Sequence, residues 1–195
     1  MIDERFALLA ALLNLGGCII YLIATLQGKT KPNKVTWFLW AVVPFIAFFA
    51  QIQQGVGLSS VYTFSNGFGP VLVFVGSFFN KQSQWKITKF DIICGTLSVT
   101  GILFWYLTQV GNIAIICSIL ADWLASVPTL VKAYKRPETE NGRAFFVGTI
   151  AAFITIFTVT RWEFASYAFP LSATLLNLTM FLLIQSKLGK YFSRK

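Results

Sequence analysis

Long apolar stretches, separated by short polar segments, run through the whole sequence. Most of them are close to the roughly 20 residues that an apolar α-helix needs to cross a membrane. The pattern therefore predicts seven helices. The expected ranges are about 7–26, 35–53, 58–79, 90–110, 112–134, 144–160 and 164–186, of which the sixth is the shortest. A signal peptide is the alternative for the first stretch, but the leading residues Asp3, Glu4 and Arg5 carry no positive excess and favour a helix.

The composition excludes an ordinary soluble domain. Of the 195 residues, 56% are hydrophobic and 12% are charged, whereas about a quarter of a soluble domain is charged. The 20 Phe, 6 Trp and 6 Tyr residues also exclude a disordered chain. The chain has no histidine, and its three cysteines, Cys18, Cys94 and Cys117, lie in apolar stretches. We therefore expect no metal centre, no cofactor and no disulfide.

Basic residues lie mainly on one side of the predicted spans. Fourteen of the 16 follow or flank the first, third, fifth and seventh stretches, and Arg5 and Arg161 lie on the other side. Because cytoplasmic loops accumulate lysine and arginine, we expect the amino terminus outside and the carboxyl terminus in the cytoplasm, in the plasma (inner) membrane. The net charge of +9 is then explained by contact with anionic lipid headgroups rather than by binding to nucleic acid.

The sequence contains an internal repeat of three helices. A shift of 108 residues aligns the first two helices of each half, and a further shift of three aligns the third helix. The polar matches are Asn14 with Asp122, Asn33 with Asn141, and Asn66 with Asn177. We expect residues 1–81 to form the first repeat, residues 82–111 a linker helix, and residues 112–195 the second repeat with a cytoplasmic tail.

The linker helix sets the orientation of the second repeat. Each repeat has an odd number of spans, so without an extra crossing the second repeat would enter the membrane inverted. The predicted fold class is therefore an all-α membrane protein with seven transmembrane helices, in which a linker helix joins two parallel three-helix repeats (3+1+3). Parallel repeats of this kind occur among transporters, whose substrate sites lie near the midplane between the repeats.

The fifth stretch ends in a segment that resembles a PQ-loop motif, Val127–Arg136 (VPTLVKAYKR), although Thr129 stands where the motif has glutamine. The segment from Gly28 to Trp40 is similar. With the 3+1+3 arrangement, the whole chain resembles a divergent member of the PQ-loop superfamily, which includes the SWEET sugar transporters and the PnuC vitamin-precursor transporters. The resemblance implies a small-solute carrier that works by alternating access, as a uniporter or with proton coupling, and not an enzyme.

The resemblance also implies roles for individual residues. In SWEET-like proteins an asparagine on the third helix of each half faces the substrate cavity, and Asn66 and Asn177 match those positions. An amide on each half would bind a polar solute such as a sugar or a nucleoside-like molecule. Because the spans carry an acidic group, Asp122, and no buried cation, a neutral or cationic solute is favoured over an anion. The alternative is that each asparagine bonds to a backbone carbonyl or a neighbouring helix. Pro44 and Pro128 match two of the family's helix prolines and are the candidate hinges, or they reflect the high frequency of proline in membrane helices.

Asp122 is the strongest functional candidate from the residues alone. It lies about ten residues into the fifth span, where an aspartate costs about 2.5–3.5 kcal/mol on translocon scales. No lysine or arginine lies at a comparable depth in the sequence, and desolvation disfavours the charged form. We expect either a proton-coupling or cation-binding group, or a protonated carboxyl that bonds to Asn14 on the equivalent first helix.

Tryptophans are the remaining candidates for solute binding. Trp40 and Trp123, which adjoins Asp122, could stack on a sugar or nucleoside ring. Trp37 shares a helical face with Trp40, but it lies just beyond a cytoplasmic loop, where the interfacial aromatic belt recruits tryptophan. We therefore assign Trp37 to the belt.

A different class of function is a membrane receptor or scaffold that binds a peptide or protein partner without transporting it. Such a receptor would expose charged groups to capture a carboxylate, and the only basic residues outside the cytoplasmic loops are Arg5 and Arg161. The carrier is therefore favoured. Its expected partners are a small-molecule solute and the lipid bilayer, and self-association into a homo-oligomer is left open.

Overall fold

Seven α-helices form the structure, a computed structural model that describes residues 2–81, 85–108 and 110–186. The helices are α1 (Phe6–Leu26), α2 (Lys34–Gln53), α3 (Ser60–Gly76), α4 (Lys89–Thr108), α5 (Gly111–Lys135), α6 (Gly142–Phe157) and α7 (Phe164–Ser186). A short 3-10 helix, Pro137–Thr139, precedes α6. The described ranges contain no β-strand, so this part of the chain is all-helical.

The predicted helices are confirmed, and each begins and ends within three residues of its expected bounds. Among the described helices, α1, α2, α5 and α7 are 20 to 25 residues long and are apolar enough to cross a membrane, by length and composition. The sixth helix is apolar and, at 16 residues, the shortest, as predicted. These helices are consistent with an integral membrane protein. The predicted tail after Ser186 lies outside the described residues.

Helix packing follows a pattern that repeats after four helices. The first helix, α1, packs against α3 and α6, and α5 packs correspondingly against α7 and α2. In the same way α2 packs against α3, and α6 packs against α7. The fourth helix packs against α5 and α2. The main contacts between the group α1–α3 and the group α5–α7 are therefore two helix pairs, α1 with α6 and α2 with α5.

These two helix pairs meet at corresponding positions of the chain. Gly17 of α1 lies against Ala144 of α6, where a Cβ atom at position 17 would come 3.0 Å from the Ala144 carbonyl oxygen. In the other pair, the Thr36 hydroxyl of α2 donates to the carbonyl of Ala125 in α5 at 2.7 Å. Positions 17 and 125 are 108 residues apart, and so are positions 36 and 144. This is the offset that aligns the two halves of the sequence.

The second helix of each group begins with the same cap. The side-chain oxygens of Asn33 and Asn141 accept hydrogen bonds from the backbone N–H groups two and three residues further on. Such caps satisfy donors that the first turn of a helix leaves open. Asn33 differs from Asn141 because its amide also donates to the buried carboxylate of Asp91 at 2.7 Å. This bond ties the start of α2 to the start of α4.

Replacement of each cap by alanine measures the contribution of the Asn33–Asp91 bond. We expect Asn141→Ala to lower the free energy of unfolding by about 1 kcal/mol, the usual cost of losing an N-cap. Asn33→Ala should cost about 2–3 kcal/mol, because it also removes a partner from a buried carboxylate. Chemical unfolding in detergent micelles, followed by tryptophan fluorescence, measures both losses. Equal losses would show that the bond to Asp91 contributes nothing.

Three polar segments meet at one end of the helix bundle. The N–H group of Lys31, after α1, donates to the carbonyl of Thr139, after α5, at 3.0 Å. The side chain of Asn80, after α3, donates to the carbonyl of Leu26 at 2.6 Å. We call this end the basic end, because its segments carry most of the described lysines and arginines.

The opposite end of the bundle holds the chain before α1 and the segment between α6 and α7. The N–H group of Ile2 donates to the carbonyl of Phe157 at 3.1 Å. Arg5 and Arg161 belong to these two segments. The unequal distribution of basic residues seen in the sequence therefore separates the two ends of the described bundle.

Candidate functional site

A small cavity lies between six helices, namely α1, α2, α3, α5, α6 and α7. Its volume is about 50 Å³, which is room for a few water molecules. Both halves of the chain contribute to its lining. The residues are Asn14, Gly17, Cys18, Tyr21, Trp37, Trp40, Asn66, Pro70, Asp122, Ala144, Phe145, Gly148, Ala173, Leu176 and Asn177.

The cavity brings together five of the six predicted solute-binding residues, which are Asn14, Trp40, Asn66, Asp122 and Asn177. Trp123 is not among the described residues of the lining. Its indole N–H donates to the hydroxyl of Ser172 at 2.9 Å, so Trp123 joins α5 to α7 instead. The difference arises because Trp123 follows Asp122 directly, and neighbouring residues point to different faces of a helix.

Many lining residues form pairs that the sequence repeat relates. The pairs at an offset of 108 are Asn14 with Asp122, Trp37 with Phe145, and Trp40 with Gly148, and the pair at an offset of 111 is Asn66 with Asn177. Corresponding positions of the two halves therefore line the same cavity.

Asp122 lies midway along α5, and its side chain is buried, with 4% of its surface exposed. Its Oδ1 atom accepts no hydrogen bond from any described residue. The expected bond from Asn14 is not formed, and the amide nitrogen of Asn14 donates instead to the hydroxyl of Ser65 at 3.2 Å. A buried carboxyl oxygen is thus left for a proton or a ligand.

The two asparagines of the third helices differ in their contacts. The Nδ2 atom of Asn177 donates to the carbonyl of Ala173, one turn earlier, at 2.9 Å. Asn177 therefore both lines the cavity and bonds to the backbone of its own helix, and its contact with a solute stays a prediction. Asn66 is half-buried in the lining. Pro70 has no N–H group to bond to the Asn66 carbonyl in α3, which leaves that oxygen without its helical donor.

Four aromatic side chains, Tyr21, Trp37, Trp40 and Phe145, form a closed cluster in the lining. Their ring centroids are 4.4 Å apart for Tyr21–Trp37, 5.2 Å for Trp37–Trp40, 6.2 Å for Trp40–Phe145 and 6.0 Å for Tyr21–Phe145. Trp37 is only 3% exposed, so its assignment to the interfacial belt is wrong, because a belt residue faces the headgroups. Sequence reasoning missed Tyr21 and Phe145, although Phe145 is the repeat counterpart of Trp37.

A buried ion pair lies at the basic end, beside the aromatic cluster. The ammonium of Lys132 on α5 is 2.5 Å from the carboxylate of Glu140, which precedes α6. The Tyr21 hydroxyl donates to the other carboxylate oxygen at 2.6 Å, and Lys132 also donates to the carbonyl of Lys31. We call these four residues the ion-pair cluster. It joins α1, α5 and the segments that follow them.

The ion pair was not predicted from the sequence, because Lys132 lies near the end of an apolar stretch, where the lysines of cytoplasmic loops are expected. The structure places it in the interior, with 2% of its surface exposed and with the Trp85 ring centroid 4.9 Å from its ammonium. The signal available in the sequence was the presence of two acidic residues, Glu138 and Glu140, in a polar segment whose other charged residues are basic.

The candidate hinges, Pro44 and Pro128, lie inside α2 and α5 and are buried. Each lacks the N–H group that would bond to the carbonyl four residues earlier. For Pro44 that carbonyl belongs to Trp40, a residue of the cavity lining. Whether the two prolines act as hinges stays a prediction.

Comparison of the chain with models of protein families, with curated proteins and with solved structures found no match. The chemistry of the site is therefore judged from its own groups. The lining offers one carboxyl, three side-chain amides and a cluster of aromatic rings, which are groups that bind polar molecules by hydrogen bonds, charge and ring contacts.

Proposed function

We propose that the protein is a membrane carrier for a small polar solute, neutral or cationic. The observation that carries this proposal is that corresponding polar residues of the two halves, Asn14 with Asp122 and Asn66 with Asn177, line one cavity. Carriers with parallel repeats bind their substrates at such a place, near the midplane and between the repeats. The buried carboxyl is compatible with uniport and with proton coupling.

The proposal includes the 3+1+3 architecture, with α1–α3 and α5–α7 as parallel repeats and α4 as the linker. It is supported by the helix pairs that meet at positions 108 residues apart and by the matching caps Asn33 and Asn141. This is the architecture of the PQ-loop superfamily, of which we propose the chain is a divergent member. With seven spans, the basic end is cytoplasmic and the amino terminus is outside.

Alternating access requires the cavity to open to each side in turn. Sites for drug-sized ligands hold about 300–1,000 Å³, so a cavity of about 50 Å³ is too small for a sugar or a nucleoside. We assign this conformation to a closed state of the carrier, and we assign its closure at the basic end to the ion-pair cluster. Tyr21 connects the cavity to the ion-pair cluster, because its ring lines the cavity and its hydroxyl donates to the Glu140 carboxylate. Opening would bend α2 and α5 at Pro44 and Pro128.

Uptake into proteoliposomes, with a panel of labelled sugars, nucleosides and amines, tests the carrier function. For a transported solute, we expect Asp122→Asn, Asn66→Ala and Asn177→Ala each to lower the uptake rate at least tenfold, which corresponds to about 1.4 kcal/mol. Trp123→Phe is the matched control outside the cavity and should transport normally. Full uptake by all three cavity variants would show that the solute does not bind in this cavity. Binding of peptides without uptake of any solute would favour the alternative function of a membrane receptor.

A further inference from the structure

We infer that the solute presents an ammonium-type group, a cationic nitrogen that carries N–H donors, to Asp122. The inference rests on the proposed carrier function and narrows the solute from neutral or cationic to cationic. It follows from which polar atoms of the cavity lining are already bonded within the protein and which are left for a ligand.

The amide of Asn177 leaves an acceptor for the ligand. Its nitrogen donates to the backbone carbonyl of Ala173 at 2.9 Å. Because a carbonyl only accepts, the amide cannot be turned the other way. Its oxygen lies against Gly148, where a Cβ atom would come within 2.7 Å of Oδ1. The glycine at position 148 thus makes room for this oxygen.

The amide of Asn14 is oriented in the same sense. Its nitrogen donates to the hydroxyl of Ser65 at 3.2 Å. The hydroxyl has one proton, and Ser65 donates it to the carbonyl of Tyr62 at 2.7 Å. Ser65 can therefore only accept from Asn14, which fixes the orientation of the amide and leaves the Asn14 oxygen as an acceptor, beside the second N–H group of the same amide.

Asp122 adds a negative charge to these acceptors. Its buried Oδ1 atom receives no hydrogen bond in the part of the chain that the structure describes. None of the described lining residues is a lysine or an arginine. The buried cation of the same helix, Lys132, is bonded to Glu140 and to the Lys31 carbonyl. A buried carboxylate without a protein cation favours a ligand that supplies one.

The aromatic cluster also favours a positively charged ligand. The faces of tryptophan and tyrosine rings are electron-rich and attract ammonium groups, tryptophan most strongly. The indole N–H of Trp40 is buried and has no acceptor among the described residues, so it can donate to an oxygen elsewhere on the solute. A small amine that also carries a hydroxyl or carbonyl oxygen therefore offers N–H donors to the acceptor oxygens of the lining and an acceptor to the indole N–H of Trp40.

Thermal unfolding of the detergent-solubilised protein tests this inference with methylammonium chloride as the probe. The comparison salts, at equal ionic strength, are sodium chloride and tetramethylammonium chloride, which is cationic but has no N–H donor. We expect saturating methylammonium to raise the Tm by about 3–5 °C above its value in either comparison salt. Asp122→Asn should abolish the rise and Trp40→Phe should reduce it. The matched controls Glu163→Gln and Trp123→Phe, outside the described lining, should keep it.

Three results would overturn the inference. The first is an equal rise of the Tm with sodium chloride, which would indicate binding of an inorganic cation. The second is a rise of the Tm only with neutral sugars. The third is a rise of the Tm with methylammonium that Asp122→Asn leaves unchanged. Uptake assays separate this inference from the carrier function. Binding of methylammonium without uptake of any amine contradicts the carrier alone. Uptake of a neutral sugar without binding of methylammonium contradicts the inference alone.

Discussion

Lys132→Met is expected to lower the free energy of unfolding by about 3–5 kcal/mol, the range for removing one partner of a buried ion pair. The pair is well inside the structure, since Lys132 is 2% exposed and Glu140 is 7% exposed. Without the ammonium, the Glu140 carboxylate stays buried with the Tyr21 hydroxyl as its remaining neutral partner. Chemical unfolding in mixed micelles measures the loss. Lys135→Met, an exposed position one turn closer to the end of α5, should change stability by less than about 0.5 kcal/mol.

A double variant separates the contribution of the ion pair to the free energy of unfolding from the contribution of side-chain packing. Removing both charges, as in Lys132→Met with Glu140→Gln, should recover much of the stability lost in Lys132→Met, because no unpaired charge is left buried. If the double variant loses the sum of the two single losses, the two residues act independently and the ion pair is not the cause.

Replacement of Glu140, the other residue of the ion pair, is expected to open the cavity to reagents at the basic end. Cys18 lines the cavity, three residues before Tyr21, and becomes the sole thiol of the chain after Cys94→Ala and Cys117→Ala. In that background, Glu140→Gln removes the charge that pairs with Lys132, the contact to which we assign closure at the basic end. A shift of about 1.4 kcal/mol towards the open state would raise its population tenfold. We expect a charged, membrane-impermeant methanethiosulfonate to modify Cys18 at least ten times faster than in the parent.

The side of access distinguishes gating from general loosening of the fold. The faster modification should occur only when the reagent is added at the basic end of oriented proteoliposomes. Glu163→Gln, which changes a carboxylate at the opposite end, should leave the rate at the parent value. Equal acceleration from both sides, or no acceleration in a folded Glu140→Gln variant, would contradict a closing role for the ion-pair cluster.

Helix positions could be predicted from the sequence because membrane-type helices are marked by long apolar runs and short polar breaks. The bounds of all seven helices therefore agree with the structure to within three residues. The repeat offset carried further information. It aligned Asn14 with Asp122 and Asn66 with Asn177, and the structure brings these four residues to one cavity.

Contacts that depend on tertiary packing could not be predicted in the same way. Lys132 has the sequence signature of a loop cation, and only the approach of Glu140 and the Lys31 carbonyl makes it an interior residue. Trp37 lies one turn from a polar loop, as an interfacial tryptophan would, yet the rings of Tyr21 and Trp40 cover it. Hydropathy reports how apolar a residue is but not which partner it meets.

The ion pair has no counterpart in the first half of the chain, where Ala24 and Pro32 stand 108 residues before Lys132 and Glu140. In a two-fold dimer of identical three-helix subunits, every such pair would occur twice, because symmetry copies each residue to both subunits. A single polypeptide is free of that constraint. It can place one charged pair in one half of the chain and avoid the desolvation cost of a second. Covalent joining of two similar halves thus permits the two sides to diverge in chemistry while the shared cavity keeps paired residues from both.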